Sequence, residues 1–277
     1  MAKMASTRHR ERLAGLLALA LPVMAGLGWM ALAGAPRPYL LVNGSCLLVA
    51  LAWTYFGQAP QGLRYRRVLV TILLAALFLP LLTGPELSSI THDPVARWLP
   101  LGPLQLHSGM LALPALAVLA SRDPDYAAPI LLTALFALFL QPDAASGFAL
   151  TFAAVGLHHA TRDWRHGLVA IIGFVASIFM ALHGELPPQP FVERVLDDAL
   201  AQSWPVAILL FAALLGSYFL ILKALPMAHE ASFAMAGTLF GFALMAVLSH
   251  YPTPLLGYGA APVLGYGMAL GLIARSP

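Results

Sequence analysis

About ten apolar runs follow one another along the chain, separated by short polar segments. A helix needs about 20 predominantly apolar residues to cross the hydrocarbon core of a bilayer. We therefore predict an all-α, polytopic membrane bundle of about ten transmembrane helices, with residues 1–277 forming a single transmembrane domain. The runs cover residues 13–34, 39–56, 68–83, 104–120, 127–141, 144–160, 167–183, 204–223, 231–249 and 255–274.

Composition leads to the same class of protein. Hydrophobic residues make up 60% of the 277 positions and charged residues only 10%, whereas an average soluble domain is roughly a quarter charged. This balance excludes a water-soluble globule. The formal net charge of +3 comes from scattered basic residues, so we expect no nucleic-acid partner.

The distribution of Lys and Arg predicts how the chain is oriented, because cytoplasmic loops retain these residues. Both termini are predicted to be cytoplasmic, since an even number of spans leaves only Arg37, Arg97 and Arg194 on outer segments. The inner segments then carry Lys3, Arg8, Arg10, Arg12, Arg64, Arg66, Arg67, Arg122, Arg162, Arg165, Lys223 and Arg275. The outer acids are Glu86, Asp93, Asp143, Glu185, Glu193, Asp197 and Asp198.

The two longest loops, residues 84–103 and 184–203, are both predicted to be outside and are rich in proline. Within the second, residues 191–200 place apolar side chains at a spacing of about 3.6 residues and charges on the other face. This pattern predicts an interfacial helix. The alternative is that the segment only caps the bundle.

Two polar positions near the outer face are candidates for binding. Asp143 follows Gln141 and Pro142 where one predicted helix ends and the next begins, so it either binds a ligand or caps the following helix. Arg97 could place its guanidinium on a lipid phosphate while Trp98 anchors among the head groups. The alternative is that Arg97 and Trp98 form only an interfacial anchor.

The sequence predicts neither a metal centre nor a cofactor. Three histidines cluster at one predicted inner end: His158, His159 and His166. Adjacent His158 and His159 point in different directions on a helix, and no i, i+4 pair with a carboxylate appears. The single cysteine, Cys46, excludes a cysteine metal cluster. Ser249 and His250 lack the surroundings of a nucleophilic serine.

Three segments resemble the SEDS family, which comprises cell-wall glycosyltransferases of the FtsW and RodA type. Residues 97–106 (RWLPLGPLQL) resemble the family segment before the fourth span. Gln141, Pro142 and Asp143 match the Gln-Pro-Asp that follows its fifth span. Residues 254–259 (PLLGYG), which include Tyr258 and Gly259, resemble the segment before its tenth span.

The resemblance implies a multi-pass protein of the bacterial inner membrane that acts in cell-wall formation. Family members polymerise lipid II, in which a sugar hydroxyl attacks an anomeric carbon that carries an undecaprenyl pyrophosphate. Arg97, Trp98 and Asp143 would then bind the lipid-linked substrate. The resemblance also implies a second membrane protein as partner, such as a single-span transpeptidase.

The sequence departs from the family pattern at the positions where the family has acidic residues. His107-Ser-Gly-Met110 replaces the family's Gln-Pro-Ser-Glu, and the loop before the eighth span is shortened to about twenty residues. The essential family aspartate aligns with Trp204, and the following Glu-Glu pair with Ala212 and Ala213. Asp197 and Asp198, about one or two helical turns earlier, are the remaining candidates for a catalytic acid.

These departures predict weakened or lost glycosyltransferase activity. An alternative is a non-catalytic scaffold or accessory subunit of a membrane complex. A transporter is the third possibility, although paired intramembrane charges and broken midplane helices are not evident.

Overall fold

The computed structural model describes residues 2–102, 104–225 and 228–272, with side chains from residue 13 onward. The predicted inner residue Arg275 and the side chains of Lys3, Arg8, Arg10 and Arg12 therefore lie outside the described part of the chain.

Each of the ten predicted runs overlaps a helix. A π-helical turn, Leu220–Ala224, extends α10. The helices are α1 (Ala2–Leu32), α2 (Arg37–Phe56), α3 (Leu63–Phe78), α4 (Pro80–Thr83), α5 (Ser108–Ala120), α6 (Ala127–Leu140), α7 (Ala144–Thr161), α8 (Trp164–His183), α9 (Val195–Gln202), α10 (Trp204–Phe219), α11 (His229–Leu248) and α12 (Ala260–Gly271).

Six helical segments of the described chain are long and apolar enough to cross a membrane: α1, α2, α3 with α4, α8, α10 with its π-helical turn, and α11. Helices α5, α6 and α12 are apolar but shorter. The protein is thus a multi-pass helical membrane protein, as predicted, and the count of ten crossings stays a prediction.

The first long loop, residues 84–103, contains structure that the all-α prediction omits. Strands β1 (Leu87–Ser88) and β2 (Pro94–Val95) form one antiparallel hairpin. Strands β3 (Trp98–Leu101) and β4 (Leu104–His107) form a second, in which Trp98 faces His107. Gly102 has φ +59 in the β3–β4 turn, a conformation that glycine adopts at little cost. The apolar run predicted to begin at residue 104 therefore becomes helical only at Ser108.

The bundle has two chemically different ends. At the loop end, the first long loop meets the second, residues 184–203, where Ile90 N donates to Glu185 O. The second loop meets residues 249–259, here called the third loop, where Thr253 N donates to Val192 O. At the arginine end, Arg66 donates to Arg122 O. Two of the segments predicted to be inner, around Arg66 and Arg122, thus meet at one end of the bundle. Which side of the membrane this end faces stays a prediction.

Helix α5 is the centre of the bundle, and all of its residues except Leu111 are buried. Helix α12 packs closely on it, because a side chain at Gly265 would collide with the backbone of Met110. Helix α8, by contrast, exposes apolar residues such as Ile178 and Phe179. In a membrane this face contacts lipid.

Helix α9 begins later than the predicted interfacial helix, at Val195 rather than residue 191. Phe191 and Arg194 have φ values of +68 and +57, which interrupt a right-handed helix. Phe191 instead packs on Trp29, with ring centroids 5.3 Å apart. The apolar side of the short helix is buried through Val195 and Ala199.

Candidate functional site

Arg97 lies between β2 and β3 and is only 1% exposed. Its Nη1 atom donates to Gly184 O at 3.2 Å and lies 3.8 Å from Asp143 Oδ1. The guanidinium carbon stands 4.8 Å from the ring centroid of Trp98 and 4.9 Å from that of Tyr251. Arg97 is therefore enclosed by protein, and it joins the first two long loops.

Asp143 caps α7, as one of the two sequence interpretations predicted. Its Oδ1 atom accepts a hydrogen bond from Ser146 N at 3.3 Å, and the residue is fully buried. Helix α5 approaches it closely because Gly109 has no side chain; an added Cβ would collide with Ser146 and reach 3.0 Å from Asp143 Oδ2. The Arg97 charge compensates the buried carboxylate, since an uncompensated buried charge is strongly destabilising.

Gln141, the first residue of the Gln-Pro-Asp segment, connects the end of α6 with α3 and α5. Its Nε2 atom donates to Leu77 O in α3. Its Oε1 atom accepts from Ser108 Oγ in α5 at 3.3 Å. Pro142, the next residue, packs closely on Gly184, and a side chain at position 184 would collide with Pro142 O. The segment thus holds the loop end together.

His107 occupies the start of the segment in which the family has a glutamate. Its Nδ1 atom accepts from Met110 N at 3.3 Å and caps α5, while Nε2 lies 3.6 Å from Asp143 Oδ2. Burial lowers the pKa of the His107 imidazole to about 4, and the nearby Arg97 acts in the same direction against the attraction of Asp143. A neutral His107 therefore leaves the Arg97 and Asp143 charges to balance each other.

A cavity of about 280 Å³ lies at the loop end, beside this buried cluster. Arg97 and Asp143 do not line it, whereas Trp98, Tyr258 and Gly259 do. Its other polar lining residues are Gln105, His107, Gln189, Glu193 and Thr253. The hydroxyl of Thr253 is buried without a hydrogen-bond partner in the described chain.

Glu193 is the cavity residue that sequence reasoning did not single out, since it counted only as one outer acid among several. Its Oε2 atom accepts from Gln189 N at 2.7 Å. Burial raises the pKa of the Glu193 carboxyl above its ordinary value. Among the residues that line the cavity, Glu193 alone carries a carboxylate.

The third loop brings Tyr258 and Gly259 to the cavity. Asn43 in α2 donates to Gly257 O at 2.9 Å and accepts from Gly259 N at 3.1 Å. Tyr258 stacks on Tyr39, with ring centroids 3.7 Å apart and planes 5° apart. The segment that resembles the family pattern before the tenth span is thus positioned by α2.

The structure does not bring Asp197 or Asp198 to the cavity, whose lining includes neither of them. Asp197 is exposed and lies 3.6 Å from Arg194. Trp204, aligned with the essential family aspartate, is exposed at the start of α10. In this part of the chain, the carboxylate at the cavity comes from Glu193 instead.

The histidines at the arginine end make contacts with the protein itself. His158 Nδ1 lies 2.9 Å from Asp163 O, and His166 Nδ1 lies 3.1 Å from Thr161 Oγ1. Within the described residues, no three His, Cys, Asp or Glu side chains are grouped so as to hold a metal ion. At the loop end, Ser249 Oγ donates to Glu185 Oε1 at 2.6 Å.

The fold and the cavity define a polytopic membrane bundle with a polar pocket at one end. Its solved structural relatives include RodA, the rod shape determining protein of Thermus thermophilus, at 20% identity and TM-score 0.65, with 93% of each chain covered. An aspartate-to-alanine variant of that RodA gives 21% identity, TM-score 0.65 and coverage of 93% of this chain and 94% of the other. No protein-family model and no curated protein matches the sequence. The predicted SEDS-like fold is confirmed.

Proposed function

We propose that this protein acts in cell-envelope biogenesis in a bacterial inner membrane and binds an undecaprenyl-linked sugar at the loop-end cavity. The observation that carries the proposal is a polar cavity with aromatic walls, Trp98 and Tyr258, in a RodA-like fold. Sugar rings pack on aromatic faces, and their hydroxyls need hydrogen-bond partners, which Gln105 and Thr253 offer.

Arg97 and Asp143 do not line this cavity, but they hold one of its walls in place. The Arg97 guanidinium packs on Trp98, which lines the cavity, while Asp143 neutralises its charge. Their role in substrate binding would therefore be to position Trp98 rather than to touch a phosphate. Gln141 and Pro142 maintain the same arrangement between the helices.

Glycosyl transfer in such a site is proposed to be weakened or lost, which would make the chain a pseudoenzyme. No Lys or Arg is among the residues that line the cavity, so the charge of a leaving pyrophosphate is left without a basic partner. The acid that the resemblance predicts is replaced by Trp204. Any residual transfer would depend on Glu193, since a general base works best when its pKa approaches the operating pH.

Polymerisation of purified lipid II tests this assignment. We expect slow polymerisation by the unaltered protein, loss of that residual activity in Glu193→Gln, and no change in the Asp197→Ala, Asp198→Ala double variant. Robust polymerisation abolished by the double variant would contradict the proposal. Binding is measured separately, and Trp98→Ala should weaken retention of the lipid-linked sugar even if no transfer occurs.

A non-catalytic scaffold or accessory subunit is the second candidate. The lack of a basic group at the cavity and the replacement by Trp204 favour it over an efficient polymerase. The partner would be another membrane protein, either a single-span transpeptidase or subunits of a different complex, with a role in cell shape or cell division. Purification from native membranes in mild detergent distinguishes these assemblies by the proteins that copurify.

A further inference from the structure

A second cavity, of about 300 Å³, lies at the arginine end of the bundle. It is lined by the last residues of α5 and α7, the beginnings of α6, α8 and α11, and the segment between α5 and α6. None of its lining residues belongs to the loop-end cavity. The polar residues that matter here are Arg122, Thr161, His166 and Glu230.

His166 lines this cavity, and its imidazole carries an unused hydrogen-bond acceptor. Thr161 Oγ1 donates its one proton to Leu157 O at 2.8 Å, so it accepts from His166 Nδ1 at 3.1 Å. With the ring proton on Nδ1, Nε2 of the neutral imidazole carries a lone pair. The residue is 2% exposed, and Nε2 has no hydrogen-bond partner in the described chain. Buried polar groups are normally hydrogen-bonded, so this acceptor needs a donor, which a bound ligand would supply.

The same cavity contains one cationic and one anionic group that do not pair with each other. The Nη1 atom of Arg122 donates to Leu272 O at 2.7 Å, and no carboxylate forms an ion pair with Arg122 in the described residues. Glu230 lies in the first turn of α11 and is only partly exposed. It too has no ion pair within the described ranges. A ligand with separated positive and negative charges would complement both groups.

We propose that this cavity binds the phosphoethanolamine head group of a membrane lipid. The ammonium group donates hydrogen bonds to His166 Nε2 and to the Glu230 carboxylate, and the phosphate contacts Arg122. A lipid is the source because the cavity opens at the arginine end, where Tyr126 and Trp164 are exposed, as aromatic residues are at head-group level. A phosphocholine head group lacks the N–H donors that His166 Nε2 requires.

Native mass spectrometry of the full protein in detergent tests the site by comparing three lipids with the same acyl chains. We expect phosphatidylethanolamine to be retained about tenfold more strongly than phosphatidylcholine or phosphatidylglycerol. This is the affinity ratio expected when one lipid makes one more charge-assisted hydrogen bond than the others. Glu230→Gln should abolish this preference. Asp125→Asn is the matched control, because Asp125 is an exposed acid at the same end that does not line the cavity.

Equal retention of the ethanolamine and choline lipids by the unaltered protein would overturn the proposal, and so would an unchanged preference in Glu230→Gln. Soluble phosphoethanolamine provides the last comparison. If it displaces bound lipid as effectively as added phosphatidylethanolamine does, the head group alone is the ligand and the membrane source is wrong. Each result is independent of polymerisation at the loop end.

Discussion

At the residue scale, the loop end depends on one buried pair of charges. Arg97 and Asp143 are enclosed by three loops, and aromatic rings cover the guanidinium. Such a pair is costly to break, because removal of either partner leaves an uncompensated charge in a low-dielectric interior. A neutral His107 beside Asp143 is consistent with this balance, since a third charge would disturb it.

The state of His107 leads to a prediction about pH. Its pKa of about 4 in the folded protein lies below its ordinary value of 6.5, so the unfolded chain binds more protons between these values. The free energy of unfolding should therefore fall as pH decreases from 6.5 to 4, by at most about 1.4 kcal/mol per pH unit from this group. Thermal unfolding in detergent across this range measures the slope.

His107→Asn is the informative variant for this test. Asparagine keeps an acceptor that can cap α5, but it does not titrate. We expect a shallower dependence of stability on pH between 6.5 and 4 than in the unaltered protein. An identical dependence in both proteins would show that His107 is not held neutral.

Residue by residue, the sequence predicted local chemistry better than distant contacts. Asp143 after Pro142 indicated a helix cap, because capping involves residues only a few positions apart. Glu193 could not be distinguished from Asp197 or Asp198, since all three lie in one polar loop. The pairing of Glu193 with Pro252, 59 positions further along the chain, brings this acid to the cavity, and such a distant contact is not visible in the sequence.

At the element scale, long apolar runs predicted helices well, whereas loop structure required tertiary information. Each run is long enough to satisfy its own backbone in a helix. The β3–β4 hairpin depends on cross-strand pairs between Trp98 and His107, which no helical periodicity reveals. Helix α9 begins late because Phe191 packs on Trp29, a contact between the second long loop and α1.

The connection between α2 and the third loop leads to a second prediction. Asn43 both donates to Gly257 O and accepts from Gly259 N, so Asn43→Ala leaves two backbone groups without their partner. We expect a loss of about 1–3 kcal/mol in stability and faster amide hydrogen exchange in residues 252–259. Ser45→Ala, an exposed change two positions away, is the control. Unchanged exchange in Asn43→Ala would contradict this role.

At the scale of the whole molecule, the two ends of the bundle carry different chemistry. Polar loops and a cavity with one carboxylate occupy one end, while Arg66, Arg122 and their neighbours occupy the other. The distribution of Lys and Arg predicted this division, since it reflects how each loop meets the membrane surface. Whether the shorter helices α5, α6 and α12 also cross the bilayer depends on their buried position among longer helices, which composition alone does not reveal.

A cysteine-labelling experiment decides between complete and partial crossing. Starting from Cys46→Ala, which removes the one native thiol, single cysteines are introduced as Glu86→Cys, Asp125→Cys and Arg162→Cys. With ten crossings, an impermeant maleimide added to intact cells labels the first and reaches the other two only after permeabilisation. If α5 does not cross, Asp125→Cys is labelled from outside together with Glu86→Cys, because these positions lie on either side of α5. That result would contradict the prediction of ten crossings.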